Sequence, residues 1–106
     1  MTYSHFDIAS NLTETRHWED GSPIYREVFS VIASTDRGDR IAHQYSFGTL
    51  AEAEALRARI EVSVKLGRPL DLNRWHPMDP VYGSDAYAEL DRLGYFRDVE
   101  RMNEFA

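Results

Sequence analysis

Two alternating stretches joined by a short polar turn set the tightest limit on how this chain can fold. Residues 24–33, IYREVFSVIA, are rich in β-branched and aromatic side chains. The odd positions put Tyr25, Phe29, Val31 and Ala33 on one face, and the even positions put Ile24, Val28 and Ile32 on the other. Both faces carry apolar groups, which suits an interior strand. STDRGD, residues 34–39, supplies a polar turn with a glycine able to take positive φ. RIAHQYSF, residues 40–47, then alternates cleanly, with Ile41, His43, Tyr45 and Phe47 opposite Arg40, Ala42, Gln44 and Ser46. The pattern predicts an antiparallel hairpin. Upstream, NLTETRHW at 11–18 reads as a third strand, joined through EDGSP, whose Asp-Gly pair is a turn signal. Residues 1–10 read as a short strand or a loose end. The expected sheet is thus a three-stranded meander.

The helical signals follow the hairpin. Thr49-Leu50-Ala51-Glu52 is a capping box, in which the threonine hydroxyl takes the amide of the glutamate and the carboxylate reaches back. Ala53, Leu56, Ile60 and Val64 then recur at spacings of three and four, one apolar stripe. Gly67 and Pro69 are the expected stop, so the helix should run from Leu50 to Leu66. A second helix should begin after Ser84 as N-cap, with Asp85 favourable at the positive end of its dipole and with Tyr87, Leu90 and Leu93 inward. Gly94 is a candidate stop, and Tyr95 to Asn103 reads as a further helical piece through Phe96, Val99 and Met102. In the connector, WHPMDPVYGSDAY, Pro77 and Pro80 push His76 and Asp79 out of helical geometry, so Trp75 to Pro80 should run extended near polyproline II. Trp75, Val81 and Tyr82 should then seal one end of the core. The fold class is α+β: a three-stranded antiparallel meander packed against one long helix plus C-terminal helical segments. With 106 residues the chain forms a single domain, 1–106.

Charge and composition narrow the function. The net charge is −6, with residues 57–74 locally basic through Arg57, Arg59, Lys65, Arg68 and Arg74. An acidic chain is repelled by phosphate backbones, which argues against direct nucleic-acid binding. The basic segment reads as the solvated face of one helix. There is no cysteine, which excludes disulfides, thiol catalysis and cysteine-based zinc sites. No apolar run is long enough to span a bilayer, and the N-terminus lacks the basic and apolar parts of a secretory signal, so the expected location is the cytoplasm.

Motifs for chemistry are sparse. His5, His17, His43 and His76 form no HExxH and no i, i+4 helical pair, so no metal site is predicted. His43 lies on the Tyr45/Phe47 face and reads as a partly buried, hydrogen-bonded histidine. Ser84 is better placed as a helix cap than as a nucleophile, since its hydroxyl is spent on backbone amides. There is no Gly-x-Ser-x-Gly elbow, P-loop or GxGxxG. No catalytic residue and no cofactor are predicted, and the chain reads as a non-enzyme. A small enzyme using His43 or His76, metal-dependent or not, is the third-ranked alternative.

HWEDG, YREVFSVIA, RIAHQYSFGTLAEAEAL and LDLNRWHPMDPVYGSDAY, over about residues 17–90, resemble small proteins of no assigned activity carried by phages, plasmids and integrative elements of proteobacteria. The shared marks are the hairpin, an Ala/Glu-rich helix after a Phe-Gly-Thr turn, and the late Trp…Asp-Pro-Val-Tyr-Gly-Ser-x-Ala-Tyr signature. The resemblance carries over no catalytic residue. It implies a setting in which small acidic proteins bind host machinery, and in size and charge the chain is similar to anti-CRISPR inhibitors. The expected function is therefore non-catalytic occlusion of a host protein or nucleoprotein complex, with an acidic exterior drawn to a basic channel. The expected contacts are Asp85, Glu89, Asp91, Asp98 and Glu100, with Tyr82 and Tyr87 as aromatic anchors and His76 and Met78 facing the partner. The runner-up is an accessory homodimer of a plasmid or integrative element, built on the Trp75/Met78/Tyr82 surface.

Overall fold

A long hairpin dominates the computed structural model, which describes residues 2–96. Strand β1 (His5–His17) pairs antiparallel with β2 (Pro23–Ser34), and β2 pairs with β3 (Arg40–Phe47). Strand β1 is longer than the sequence suggests, because pairing begins at His5 opposite Ser34 and not at residue 11. The turn between β1 and β2 is closed by Trp18 N–H to Ser22 O at 2.8 Å and by Asp20, whose carboxylate accepts the Ser22 amide at 2.9 Å. The length of this pair gives an elongated outline of 52 × 39 × 22 Å.

The meander gains a fourth strand, which corrects the three-stranded expectation. Trp75 to Met78 form β4, paired antiparallel with β3 in the register His43↔Trp75 and Arg40↔Met78. The sheet order is β1-β2-β3-β4. The extended geometry forecast for these residues is present, but it is sheet and not isolated polyproline. Pro77 lacks a donor and is tolerated because β4 is an edge, where one side of the strand needs no partner.

Helix α1 (Leu50–Lys65) lies across one face, against β1, β2 and β3. Its start is half of the expected capping box: Glu52 N–H donates to Thr49 Oγ1 at 3.3 Å, but the Glu52 carboxylate accepts the Thr49 hydroxyl at 2.8 Å in place of the Thr49 amide. Its end is a Schellman motif in which Gly67 N–H bonds Val64 O and Arg68 N–H bonds Ser63 O, with Gly67 at φ +79. The core beneath it is Val31, Ala33, Ile41 and Trp75, capped by Leu56, Ile60, Leu70, Tyr3 and Phe6. Ala53 is the fully buried residue of the helix, where a small side chain lets the backbone approach the sheet.

Helix α2 (Asp85–Arg92) begins where Ser84 predicts, the Ser84 hydroxyl accepting the Tyr87 amide at 3.2 Å. It is fastened to the β2–β3 turn. Ala86 N–H donates to Arg37 O at 2.9 Å, and Arg37 pairs with Glu89. Gly38 makes this contact possible: its φ is +94, and a Cβ there would fall 2.3 Å from Ser84 Cβ. No other residue type fits. The inward side of α2 is Ala86, buried, with Tyr87 and Leu90 half-buried, whereas Leu93 is 68% exposed, against expectation. Gly94 interrupts the helix at φ +83 before a new turn at Tyr95 and Phe96. The rest of the C-terminal piece, with Val99 and Met102, lies outside the described residues. Among the described residues no helix is long and apolar enough to cross a membrane.

Candidate interaction surface

The β4–α2 side of the molecule gathers most of the side chains that the sequence nominates. Tyr82 stands 83% exposed, not sealed into the core, and Val81 beside it is exposed too. The loop must turn sharply into α2 at Gly83, which carries both residues outward, so Trp75 alone of the predicted sealing trio is buried. Tyr82 meets Tyr87 edge-on at 4.9 Å. Tyr87 stacks on Phe96 at 4.3 Å and 19°, and Phe96 meets Tyr95 edge-on at 5.2 Å. Four rings thus form one continuous run, only partly covered, of the kind enriched at binding hot spots. Sequence reading nominated Tyr82 and Tyr87 but placed Phe96 only on a further helical piece; the Gly94 break is what turns Phe96 back onto Tyr87.

Met78 adjoins this run. It is half-buried, stands opposite Arg40, and lines an open hollow with Pro77, Leu90 and Tyr95. His76, two residues away on the same strand face, is exposed opposite Ala42. The carboxylates divide by role. Asp85 and Asp91 are exposed on α2, whereas Glu89 is held by Arg37 and helps to fasten the helix. Asp98 and Glu100 lie outside the described residues. A second open groove runs between Asp7, Ser34 and Asp36 of the sheet side and Ser84 and Asp85, with Arg40 in its wall. That groove was not legible in sequence, since it depends on the 81–85 segment crossing the sheet.

The homodimer surface suggested by the sequence loses one member. Trp75 is 8% exposed, so only Met78 and Tyr82 remain available there.

His43 has a structural task that sequence could only half anticipate. The β2–β3 register shifts so that His43, Gln44 and Tyr45 stand opposite Val31 alone, a bulge that leaves an amide without a ladder partner. His43 Nδ1 accepts that amide, Tyr45 N–H, at 3.1 Å. The neutral ring with its proton on Nε2 is therefore the form that fits. Its edge packs on Trp75 at 5.0 Å and 85°. Burial first, and the Arg74 guanidinium second, hold the imidazole below its ordinary value of 6.5. No nucleophile is hydrogen-bonded to it among the described residues. Among those residues, too, no three His, Asp or Glu side chains converge to hold a metal ion.

Comparison with known protein families, with curated proteins and with solved structures finds no match for this chain.

Proposed function

We propose that this chain is a non-catalytic interaction protein of a mobile genetic element, acting in the cytoplasm as an inhibitor of the anti-CRISPR kind. It binds a host defence nucleoprotein complex through the β4–α2 side and occludes a basic channel that otherwise takes nucleic acid. The observation that carries the reading is the pairing of exposed Tyr82 with the exposed carboxylates Asp85 and Asp91 on an acidic chain. Rings supply contact area at small entropic cost, and the carboxylates mimic the charge that such a channel attracts. The inner side of that surface is braced by the Ser84 cap, the Arg37–Glu89 pair and the stacking of Tyr87 on Phe96. A preorganised surface loses little freedom on docking.

Purified RNA-guided effector complexes, titrated with labelled target DNA, test the reading. With the chain present, at least one complex is expected to lose DNA affinity by about tenfold or more. The triple variant Tyr82→Ala, Asp85→Lys, Asp91→Lys is expected to restore it. Unchanged DNA affinity across complexes of several types, or full inhibition by the triple variant, overturns the reading.

A further inference from the structure

Helix α1 is apolar on two sides, and the fold uses only one of them. At 100° per residue Ala53, Leu56, Ile60 and Val64 face the sheet, while the opposite side collects Ala51, Ala55, Ala58, Val62 and Leu66. All five outward residues are exposed. Val62 is 56% and Leu66 67% exposed, large for branched aliphatic groups on a regular helix. A shallow depression runs between Ala58, Val62 and Leu66, with Arg59 and Arg68 on its rim.

This outer side is graded along its length in two properties at once. Size runs from small to large: three alanines come first, then Val62 and Leu66. Charge runs from acidic to basic: Glu52 and Glu54 lie in the first half, whereas Arg59, Lys65 and Arg68 outnumber Glu61 in the second half and just beyond it. A helix graded in both senses is complementary to itself when reversed. Antiparallel alignment sets large groups on small ones, opposes the two charge gradients and aligns the helix dipoles favourably.

We infer that the occupant of this face is a second copy of the chain, the two α1 helices packing antiparallel about a two-fold axis near Ala58. Leu66 then sits over the partner's Ala51, Val62 over the partner's Ala55, and the alanines near the axis allow close approach of the backbones. Glu54 and Lys65 lie on the same flank of the stripe, so each Lys65 comes within reach of the partner's Glu54 and the reverse. On the other flank Arg59 meets its own counterpart near the axis, a repulsive contact, and on the first flank Glu54 also approaches the partner's Glu61, whose charge is offset by its own Arg57 at 3.8 Å. The Glu54–Lys65 contact is repeated twice by the symmetry. A single helix pair buries on the order of 1,000 Å² in total, the lower limit for a specific interface. The association is therefore reversible and sensitive to single substitutions. It leaves the β4–α2 surface open, so it stands or falls independently of the proposed inhibitor role.

Sedimentation velocity on the full chain, from about 1 to 300 μM at low salt, tests the pairing. The expected result is a reversible monomer–dimer equilibrium. Val62→Glu and Leu66→Lys should each give a monomer throughout, with an unchanged thermal melt because both positions are exposed. Lys65→Glu should weaken association by about tenfold, and the double reversal Glu54→Lys with Lys65→Glu should recover it to within about threefold. Arg59→Ala should tighten it. A wild-type monomer at 300 μM, a dimer indifferent to Val62→Glu, or a double reversal as weak as the single one overturns the inference.

Discussion

The two halves of the β1–β2 hairpin have the same backbone pairing and different surroundings. Near its root, β2 residues Phe29 to Ser34 have β3 on their other side, and Val31 and Ala33 lie under α1. Towards its tip, β2 residues Pro23 to Val28 pair with β1 alone, and every residue from Ser10 to Pro23 is exposed. Leu12, Trp18 and Tyr25 stand uncovered there. The contrast separates two sources of order that usually coincide. Ladder hydrogen bonds define both halves, but a two-stranded ribbon is marginal in water, and only the root gains from burial. Stability is concentrated at one end of a single continuous element.

The largest expected effect comes from the root. Trp75 covers the core beside Val31 and Ile41 and meets His43 edge-on. Trp75→Ala should cost about 3–5 kcal/mol in urea unfolding, from lost burial plus the cavity left behind. A cost below about 1 kcal/mol would break the contrast, because the covered half would then be no firmer than the bare one.

A smaller effect is a pH response centred on the bulge. The folded pKa of His43 lies below the unfolded value of 6.5, so between the two the unfolded chain binds the extra proton. The stabilisation is complete above about pH 6.5 and is lost as pH falls through that value towards the folded pKa. Protonation also removes Nδ1 as the acceptor for Tyr45 N–H. Thermal melts from pH 7.5 to 5 should show a decline, and His43→Phe should flatten it. An unchanged slope in that variant would assign the response to other groups.

The smallest effects belong to the ribbon tip. Leu12→Ser and Tyr25→Ser should each change stability by less than about 0.5 kcal/mol, since neither side chain is covered by the rest of the chain. Amides of residues 11–27 should exchange faster than those of Val31 to Ala33 by orders of magnitude. Losses at the tip as large as those at the root would mean that another molecule covers it in solution.

What could be read from the sequence divides by how local the cause is. The hairpin, the Thr49 cap, the Gly67 stop and the Ser84 cap were legible because each rests on residues within a few positions of one another. Strand β4 was not. Two prolines argue locally for an isolated extended segment, and only the long-range register with β3 turns it into sheet. The outward placement of Val81 and Tyr82 was missed for a related reason, since aromatic and branched residues near a tryptophan look like core until the Gly83 turn is known. The outer stripe of α1 was masked by its alanines, which weigh little in an apolar pattern yet leave Val62 and Leu66 continuous with them. The candidate surface was half visible: Tyr82, Tyr87, Asp85 and Met78 could be nominated, but not the ring-to-ring run through Phe96 that joins them.

The seat of α2 on Gly38 has a consequence for the order in which the molecule assembles. Eight residues are too few to hold a helix alone in water. The amide of Ala86 finds its acceptor on Arg37 and the Ser84 side chain its space beside Gly38, so α2 gains this support only after the β2–β3 turn has closed. The ring-and-carboxylate face thus forms after the β2–β3 turn. A chain in which that turn has not closed lacks this support for the face, so the recognition proposed for it would depend on the turn being in place.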